Sequence, residues 1–317
     1  MDIVWDCIIV GGGVAGLSTA LVLGRARRRT LLVDAGDQSN LAVHGIGGLL
    51  GHDGRSPAGL YSIGRDELAA YPSVQLRTGA VVAGERVADV FELELGDGRR
   101  ERARRVLLAT GMEYRPPSLS GLAEMWGRSV FHCPFCHGWE VRDQPLAVLA
   151  RGEKAVHAAL LLRGWSDDVV LLDGPAGLDD DHLLRLAAAG IPIDERPVAE
   201  LVSRADELAA IVFADGSRLL RSGLLVATTL HQRSRLAEQL GADYGDPTPL
   251  AANPVSVDAL CRTIAPGVFA AGDVTAQMPQ VATAIAAGSL AATAVVQSLL
   301  ADDVGLPAPA WREKVDA

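Results

Sequence analysis

The chain has 317 residues, 49% of them hydrophobic, enough to bury a core in each of two domains. Its 29 basic and 39 acidic residues leave a net charge of −10, which disfavours nucleic acid and anionic membranes as partners. Four cysteines are too few for a structural disulfide framework, no apolar run is read as membrane-spanning, and the start lacks the basic stretch of a signal peptide, so a cytoplasmic location is expected.

The apolar run Cys7–Val10 reads as a buried parallel strand. Gly11-Gly12-Gly13-Val14-Ala15-Gly16 follows, then a helix to about Leu23 and a strand Thr30–Val33 that ends in Asp34. Asp37–Ser56 is rich in Gly, His and Asp and reads as a loop lining a site. Val90–Leu95 and Arg105–Leu108 are strands around the Gly96-Asp97-Gly98 turn, closed by Thr110-Gly111. Pro116-Pro117 marks a linker. A second βαβ unit runs from the strand Leu146–Leu149 through a helix Lys154–Arg163 to the strand Val169–Leu172. Strands bracket Ala214-Asp215-Gly216, and Leu224–Thr228 closes this second domain. Gly267–Asp273 then leads into an alanine-rich helix from about Gln280 to Leu300, and the chain after Asp302 reads as a surface extension. The fold class is α/β with two Rossmann-like domains. The expected division is 1–115 and 241–317 for the first domain, with 116–240 inserted.

Gly11-x-Gly13-x-x-Gly16 sits between strand and helix, with Asp34 at the end of the next strand. Glycines there allow a tight turn and let the backbone approach a pyrophosphate at the helix N-terminus, while the acidic residue takes ribose hydroxyls. The second unit departs from this pattern. Ala150 replaces its first glycine, Glu153 falls where the phosphates would meet the helix end, and Asp173 and Asp179–Asp181 stand where a 2′-phosphate needs a basic residue. Asp173 remains a candidate contact for an unphosphorylated ribose, but NADPH and NADH are both expected to bind poorly.

Cys133-Pro134-Phe135-Cys136-His137-Gly138 carries the redox signal. Two thiols separated by two residues can close a small disulfide at a helix N-terminus and pass two electrons. The same run matches a haem-attachment pattern, set aside for want of an export signal. A zinc site from His132, Cys133, Cys136 and His137 is set aside because four ligands within six residues cannot surround a tetrahedral ion. His137, beside the second thiol, is the candidate base. His44 and His52 lie in the Gly-rich loop and are candidate cofactor or substrate contacts; the role of His132 is open. Cys7 and Cys261 read as buried small hydrophobes.

With Gly11–Gly16, Ala109-Thr110-Gly111, Cys133–Cys136, Gly267–Asp273 and Gln280-Val281 leading to Ala287-Gly288, the chain resembles the low-molecular-weight thioredoxin reductases over nearly its whole length. The resemblance implies an FAD domain interrupted by an NAD(P)-type domain that carries the dithiol, and a homodimer. It implies a flavin site from Gly11, Gly13, Ala15, Gly16, Asp34, Asn40, His52, Ala109, Thr110, Gly111, Gly272, Asp273, Gln280 and Val281. It also implies that Cys133 faces substrate and Cys136 the flavin. Thioredoxin reductases have an aspartate where this chain has His137. Cys133–Glu140 looks like the branch of dithiol oxidases that form disulfides in natural products such as gliotoxin and holomycin. The reading is therefore an FAD-dependent oxidation of a small-molecule dithiol to a disulfide, with O2 reoxidising the flavin to give H2O2. The alternatives are an NAD(P)H-dependent thioredoxin or disulfide reductase and a flavin-binding sensor without turnover.

Overall fold

The computed structural model describes residues 3–172, 177–307 and 309–311. The chain forms two compact units: residues 1–41, 58–113 and 230–317 make the first, and residues 42–57 with 114–229 the second. The insertion thus ends at Thr229, nearer its last strand than the sequence places it, and the Gly- and His-rich loop clusters with the inserted unit.

The first unit is built on a seven-stranded sheet. Val4–Val10 lies between Thr30–Asp34 and Arg100–Leu108, parallel to both, and Val74–Thr78 extends the parallel part beyond Thr30–Asp34. Val268–Ala270 pairs in parallel with Arg100–Leu108, while Val90–Leu95 and Val81–Val87 add antiparallel strands. Val4–Val10 is apolar throughout its second half because both faces are covered there: Cys7 and Ile9 pack with the helices Val14–Arg25 and Val281–Val304, and Ile8 and Val10 with Phe91, Leu93 and Leu95. The helices Val14–Arg25 and Val281–Val304 pack closely: a Cβ on Gly288 would lie 2.2 Å from the Ala15 carbonyl oxygen, and the Ser18 and Thr19 hydroxyls donate to the Ile285 and Gly288 carbonyls at 2.9 Å.

Contrary to the sequence expectation, the 24 residues of Val281–Val304 are long and apolar enough to cross a membrane. The alanine-rich inner face of this helix belongs to the core of the first unit, where Ala284, Ala291, Ala292, Val295 and Leu299 are buried. Asp302 and Asp303 near its end pair with Arg104, Arg105 and Arg28.

The second unit has a five-stranded sheet in the order Ile193–Asp194, Val169–Leu172, Leu146–Leu149, Gly223–Val226, Val130–Phe131, all parallel. The helix Gly152–Leu162 follows Leu146–Leu149, as in a dinucleotide fold. A three-stranded antiparallel sheet, Val198–Arg204, Glu207–Phe213 and Arg218–Leu219, packs with it through Leu201, Ile211 and Phe213. Val130–Phe131 is short and buried, and it feeds directly into His132-Cys133. The dithiol therefore sits at the carboxyl end of a parallel strand, where α/β sheets carry their ligands.

Candidate active site

In the first unit the carboxyl ends of four parallel strands converge. The chain leaves Val10 into Gly11, whose φ of +108° suits glycine alone and whose Cβ would strike the Ala109 carbonyl oxygen at 2.2 Å. A Cβ on Gly16 would lie 1.9 Å from the Gly11 oxygen, so this glycine lets the helix meet the strand. Gly13 differs from both. Its φ of −69° is open to any residue, and the nearest atom to an added Cβ is 3.9 Å away on Gln38. Packing within the chain gives no reason for glycine there. Gly13 is the N-cap of Val14–Arg25, with no capping side chain and no acidic residue in the first turn. Orphan N–H groups beneath an uncrowded glycine are what a dinucleotide pyrophosphate needs, so these residues fit the nucleotide half of FAD.

Of the other expected flavin residues in this unit, Ala109–Gly111 and Gly272-Asp273 follow the ends of the strands Arg100–Leu108 and Val268–Ala270. Ala109 hydrogen-bonds to Val10, Ala271 to Leu108, and Gly111 has a φ of +64° beside Thr110. Gly272, at φ +84°, packs against Ala15 and precedes the short helical turn Asp273–Thr275. Gln280 is the N-cap of Val281–Val304 and has no side-chain cap bond of its own. The Asp34 carboxylate accepts from Gly12 N–H, Gly36 N–H, Gln38 and Arg65. Asn40 Oδ1 accepts the Tyr61 hydroxyl at 2.5 Å. Burial pushes the Tyr61 phenol up to about 12, and the nearby Asp273 and Asp34 carboxylates push the same way, so Tyr61 is a neutral donor.

Tyr61 and Arg65 stand one turn apart on the helix Pro57–Leu68, which the sequence reading did not identify. The signal was present: Pro57 opens the helix, and Pro57, Tyr61 and Leu68 are its buried positions at helical spacing. His52 lies in the second unit, where its Nδ1 is buried without a partner among the described residues. His44 is exposed.

In the second unit Cys133 and Cys136 form a disulfide with Cα atoms 5.3 Å apart. Cys133 is the N-cap of the turn Pro134–His137, and its carbonyl accepts from the Cys136 and His137 N–H groups at 3.2 Å. Proline at the first helical position costs no hydrogen bond and presets the turn. Two close approaches hold it: a Cβ on Gly47 would lie 2.9 Å from the Cys136 carbonyl oxygen, and one on Gly138 would lie 2.8 Å from the Trp165 ring. The loop that carries Gly47 is closed by Ile46–Arg55 and Gly54–Ile46 hydrogen bonds at 2.9 Å. Phe135 and Trp139 flank the disulfide and are 62% and 65% exposed.

Two histidines bracket the turn. His132 is enclosed by Tyr114 and Trp126, with ring centroids at 4.8 and 5.7 Å. Burial, with a smaller push from His137, lowers its pKa to about 4. It is a neutral packing group and too weak a base for thiols at neutral pH. His137 stacks on Phe131 at 5.8 Å, and burial lowers its pKa too, opposed by Glu140 and the neighbouring Cys133 and Gly127 carbonyls. Both of its ring nitrogens are buried without a hydrogen-bond partner among the described residues. A neutral imidazole on the disulfide turn is chemically able to take a thiol proton once a thiol reaches its ring. Cys7 and Cys261 are buried free thiols pushed up to about 12 and 11 by desolvation, outside this chemistry.

The nucleotide-like turn of the second unit has a different character. Gly152–Leu162 starts after Arg151 and carries Glu153 in its first turn, where Val14–Arg25 has no acid. Part of the acidic run is committed to structure. Asp179 caps the helix Asp180–Ala188 by accepting from His182 N–H at 2.9 Å, and Asp181 pairs with Arg185. Asp173 lies outside the described residues.

The family model described as pyridine nucleotide-disulphide oxidoreductase matches residues 5–288. Thioredoxin reductase tcpT of Claviceps purpurea is 32% identical, the match covering 94% of this chain and 95% of that protein. Thioredoxin reductase sirT of Leptosphaeria maculans is 30% identical over 95% and 96%. Among solved structures, that of HlmI is similar with a TM-score of 0.89 and 37% identity, covering 95% of this chain and 94% of that one.

Proposed function

The chain belongs to the pyridine nucleotide-disulphide oxidoreductase family, and from that premise we propose that it is a dithiol oxidase, closing a small-molecule dithiol to a disulfide through Cys133 and Cys136. That it is a thioredoxin reductase-like, FAD-binding redox enzyme follows from the family and the relatives. The direction of turnover and the substrate are the proposal.

The observation that carries it is Glu153. A reductase of this fold takes electrons from NAD(P)H bound at the second unit's strand–helix turn. Here a carboxylate stands in the first helical turn, Ala150 replaces the first glycine, and an anionic pyrophosphate would meet like charge. The same position of the first unit is free of acids. The names of the relatives favour the reductase reading, and the rate of flavin reduction by NADPH against that by a dithiol separates the two.

In the proposed reaction a substrate thiolate attacks one sulfur of the Cys133–Cys136 disulfide. One S–S bond breaks as a mixed disulfide forms. The second substrate thiol then attacks the mixed disulfide, releasing the oxidised product and leaving both cysteines reduced. His137 would take a proton from a substrate thiol that reaches its buried ring nitrogen, which raises the thiolate fraction. The exposed rings of Phe135 and Trp139 give an apolar substrate a surface beside the disulfide. Bound FAD supplies the two-electron acceptor that restores the disulfide, with O2 as final oxidant giving H2O2. Gly11, Gly13 and Gly16 would hold its pyrophosphate, and Asp273 and Gln280 would meet its flavin half.

Cys133→Ser and Cys136→Ser should each abolish O2 consumption with a small dithiol while the protein stays yellow. Both sulfurs lie in the electron path, and neither belongs to the glycine-loop unit. Appreciable turnover in either variant would mean that substrate reacts with the flavin directly.

A further inference from the structure

Asp34 closes its strand as a buried carboxylate, 7% exposed. A carboxylate offers about four acceptor positions. Protein donors fill them here. Gly12 N–H and Gly36 N–H each donate to Oδ1 at 3.1 Å, Gln38 Nε2 reaches Oδ1 and Oδ2 at 3.0 and 3.2 Å, and Arg65 Nη2 reaches Oδ2 at 3.1 Å. An acidic residue at this place ordinarily receives the ribose hydroxyls of a dinucleotide. In this chain its lone pairs are already engaged.

Arg65 is in the opposite condition. Its side chain is 34% exposed, and Nη2 is its one engaged group among the described residues. A guanidinium carries five N–H donors in a fixed fork, so most of them stay available. The helix that carries it is held in place twice. Tyr61, one turn earlier, donates to Asn40, and a Cβ on Gly64 would touch Leu17 at 3.0 Å, so the helix lies close against Val14–Arg25. Arg65 is thus presented to the strand end by packing, and its Nη2 contact with Asp34 Oδ2 at 3.1 Å ties the guanidinium there.

We propose that Arg65 takes the adenosine ribose of FAD in this chain, donating to its hydroxyl oxygens, with Asp34 as the positioning residue that orients it. A ribose hydroxyl is both donor and acceptor, so a donor-only group satisfies it as well as a carboxylate does. The inference rests on the glycine-loop unit being the FAD site, and it assigns to the helix Pro57–Leu68 a binding role beyond packing.

The test uses purified holoprotein of the full chain. Flavin fluorescence on dilution gives the FAD dissociation constant, and displacement of FAD by ADP and by 2′-deoxy-ADP probes the ribose. Loss of charged hydrogen bonds to a hydroxyl in Arg65→Ala should weaken FAD by about 10- to 100-fold. Wild type should discriminate ADP from 2′-deoxy-ADP, Arg65→Ala should not, and Arg65→Lys should recover part of the difference. The flavin absorption spectrum should stay unchanged, because the isoalloxazine half is untouched. Unaltered FAD affinity in Arg65→Ala, or discrimination of the two nucleotides equal to wild type, would overturn the assignment. A wild-type protein that cannot bind FAD at all would instead overturn the flavin reading beneath it.

Discussion

Acidification should destabilise this protein through His132, and replacing that residue with phenylalanine should remove the effect. His132 lies between Tyr114 and Trp126, and burial lowers its pKa from 6.5 to about 4. At pH 7 the ring is neutral in both the folded and the unfolded chain, so it makes no pH-dependent contribution. Between pH 6.5 and about 4 the unfolded chain binds the proton and the folded chain refuses it. The unfolded state therefore holds more protons, stability rises with pH across this window, and it is lost on going down through it. The full difference, from 6.5 to about 4, corresponds at about 1.36 kcal/mol per pKa unit to about 3 kcal/mol. His132→Phe keeps a flat ring between the same neighbours and cannot titrate. His137, also depressed by burial, acts in the same direction in both proteins and largely cancels in the comparison. Urea unfolding followed by tryptophan fluorescence, repeated from pH 7 to pH 4, measures the two slopes. Wild type should lose up to about 3 kcal/mol more than the variant over that range. Equal slopes would show that His132 is charged, or solvated, in the folded protein.

His137→Ala should slow dithiol oxidation near neutral pH by about 10²–10⁴ and recover partly as rising pH supplies thiolate without a base. A pH–rate profile identical to wild type would remove His137 from the mechanism. Gly13→Ala and Gly16→Ala should part company. The first leaves the fold intact, since its Cβ meets nothing closer than 3.9 Å, and loses FAD. The second forces a methyl to 1.9 Å from the Gly11 oxygen and lowers the melting temperature of the flavin-free protein. A yellow Gly13→Ala protein with wild-type FAD affinity would refute the pyrophosphate cradle.

Where one rule governs a stretch, the sequence made it readable. Val90–Leu95, Leu146–Leu149 and Val169–Leu172 have the read boundaries because each is an apolar or alternating run between turn residues. The glycine loop was legible because Gly11 and Gly16 are required by contact, and the dithiol because two cysteines at that spacing close on one turn. Val74–Thr78 and Val81–Val87 escaped notice because they are only partly buried and carry Gln75, Arg77, Glu85 and Arg86 instead of a clean alternation. The helix Pro57–Leu68 escaped because the polar run Arg65-Asp66-Glu67 breaks its apolar stripe and Gly64 interrupts it, yet that glycine is what lets it approach Leu17. Asp34 was recognised, but the four donors that surround it come from residues scattered between Gly12 and Arg65, a convergence only the fold creates. Asp179–Asp181 read as repelling a 2′-phosphate, whereas Asp179 serves as a helix cap and Asp181 as an ion-pair partner.

The central claim is that electrons enter from a dithiol and not from a nicotinamide. Anaerobic stopped-flow mixing of the holoprotein with a small dithiol, with NADPH and with NADH, following flavin absorbance, tests it most directly. The account predicts rapid bleaching by the dithiol and slow or no bleaching by either nicotinamide, because Glu153 and Ala150 stand where the pyrophosphate must bind. Fast bleaching by micromolar NADPH would contradict it and make the chain a reductase.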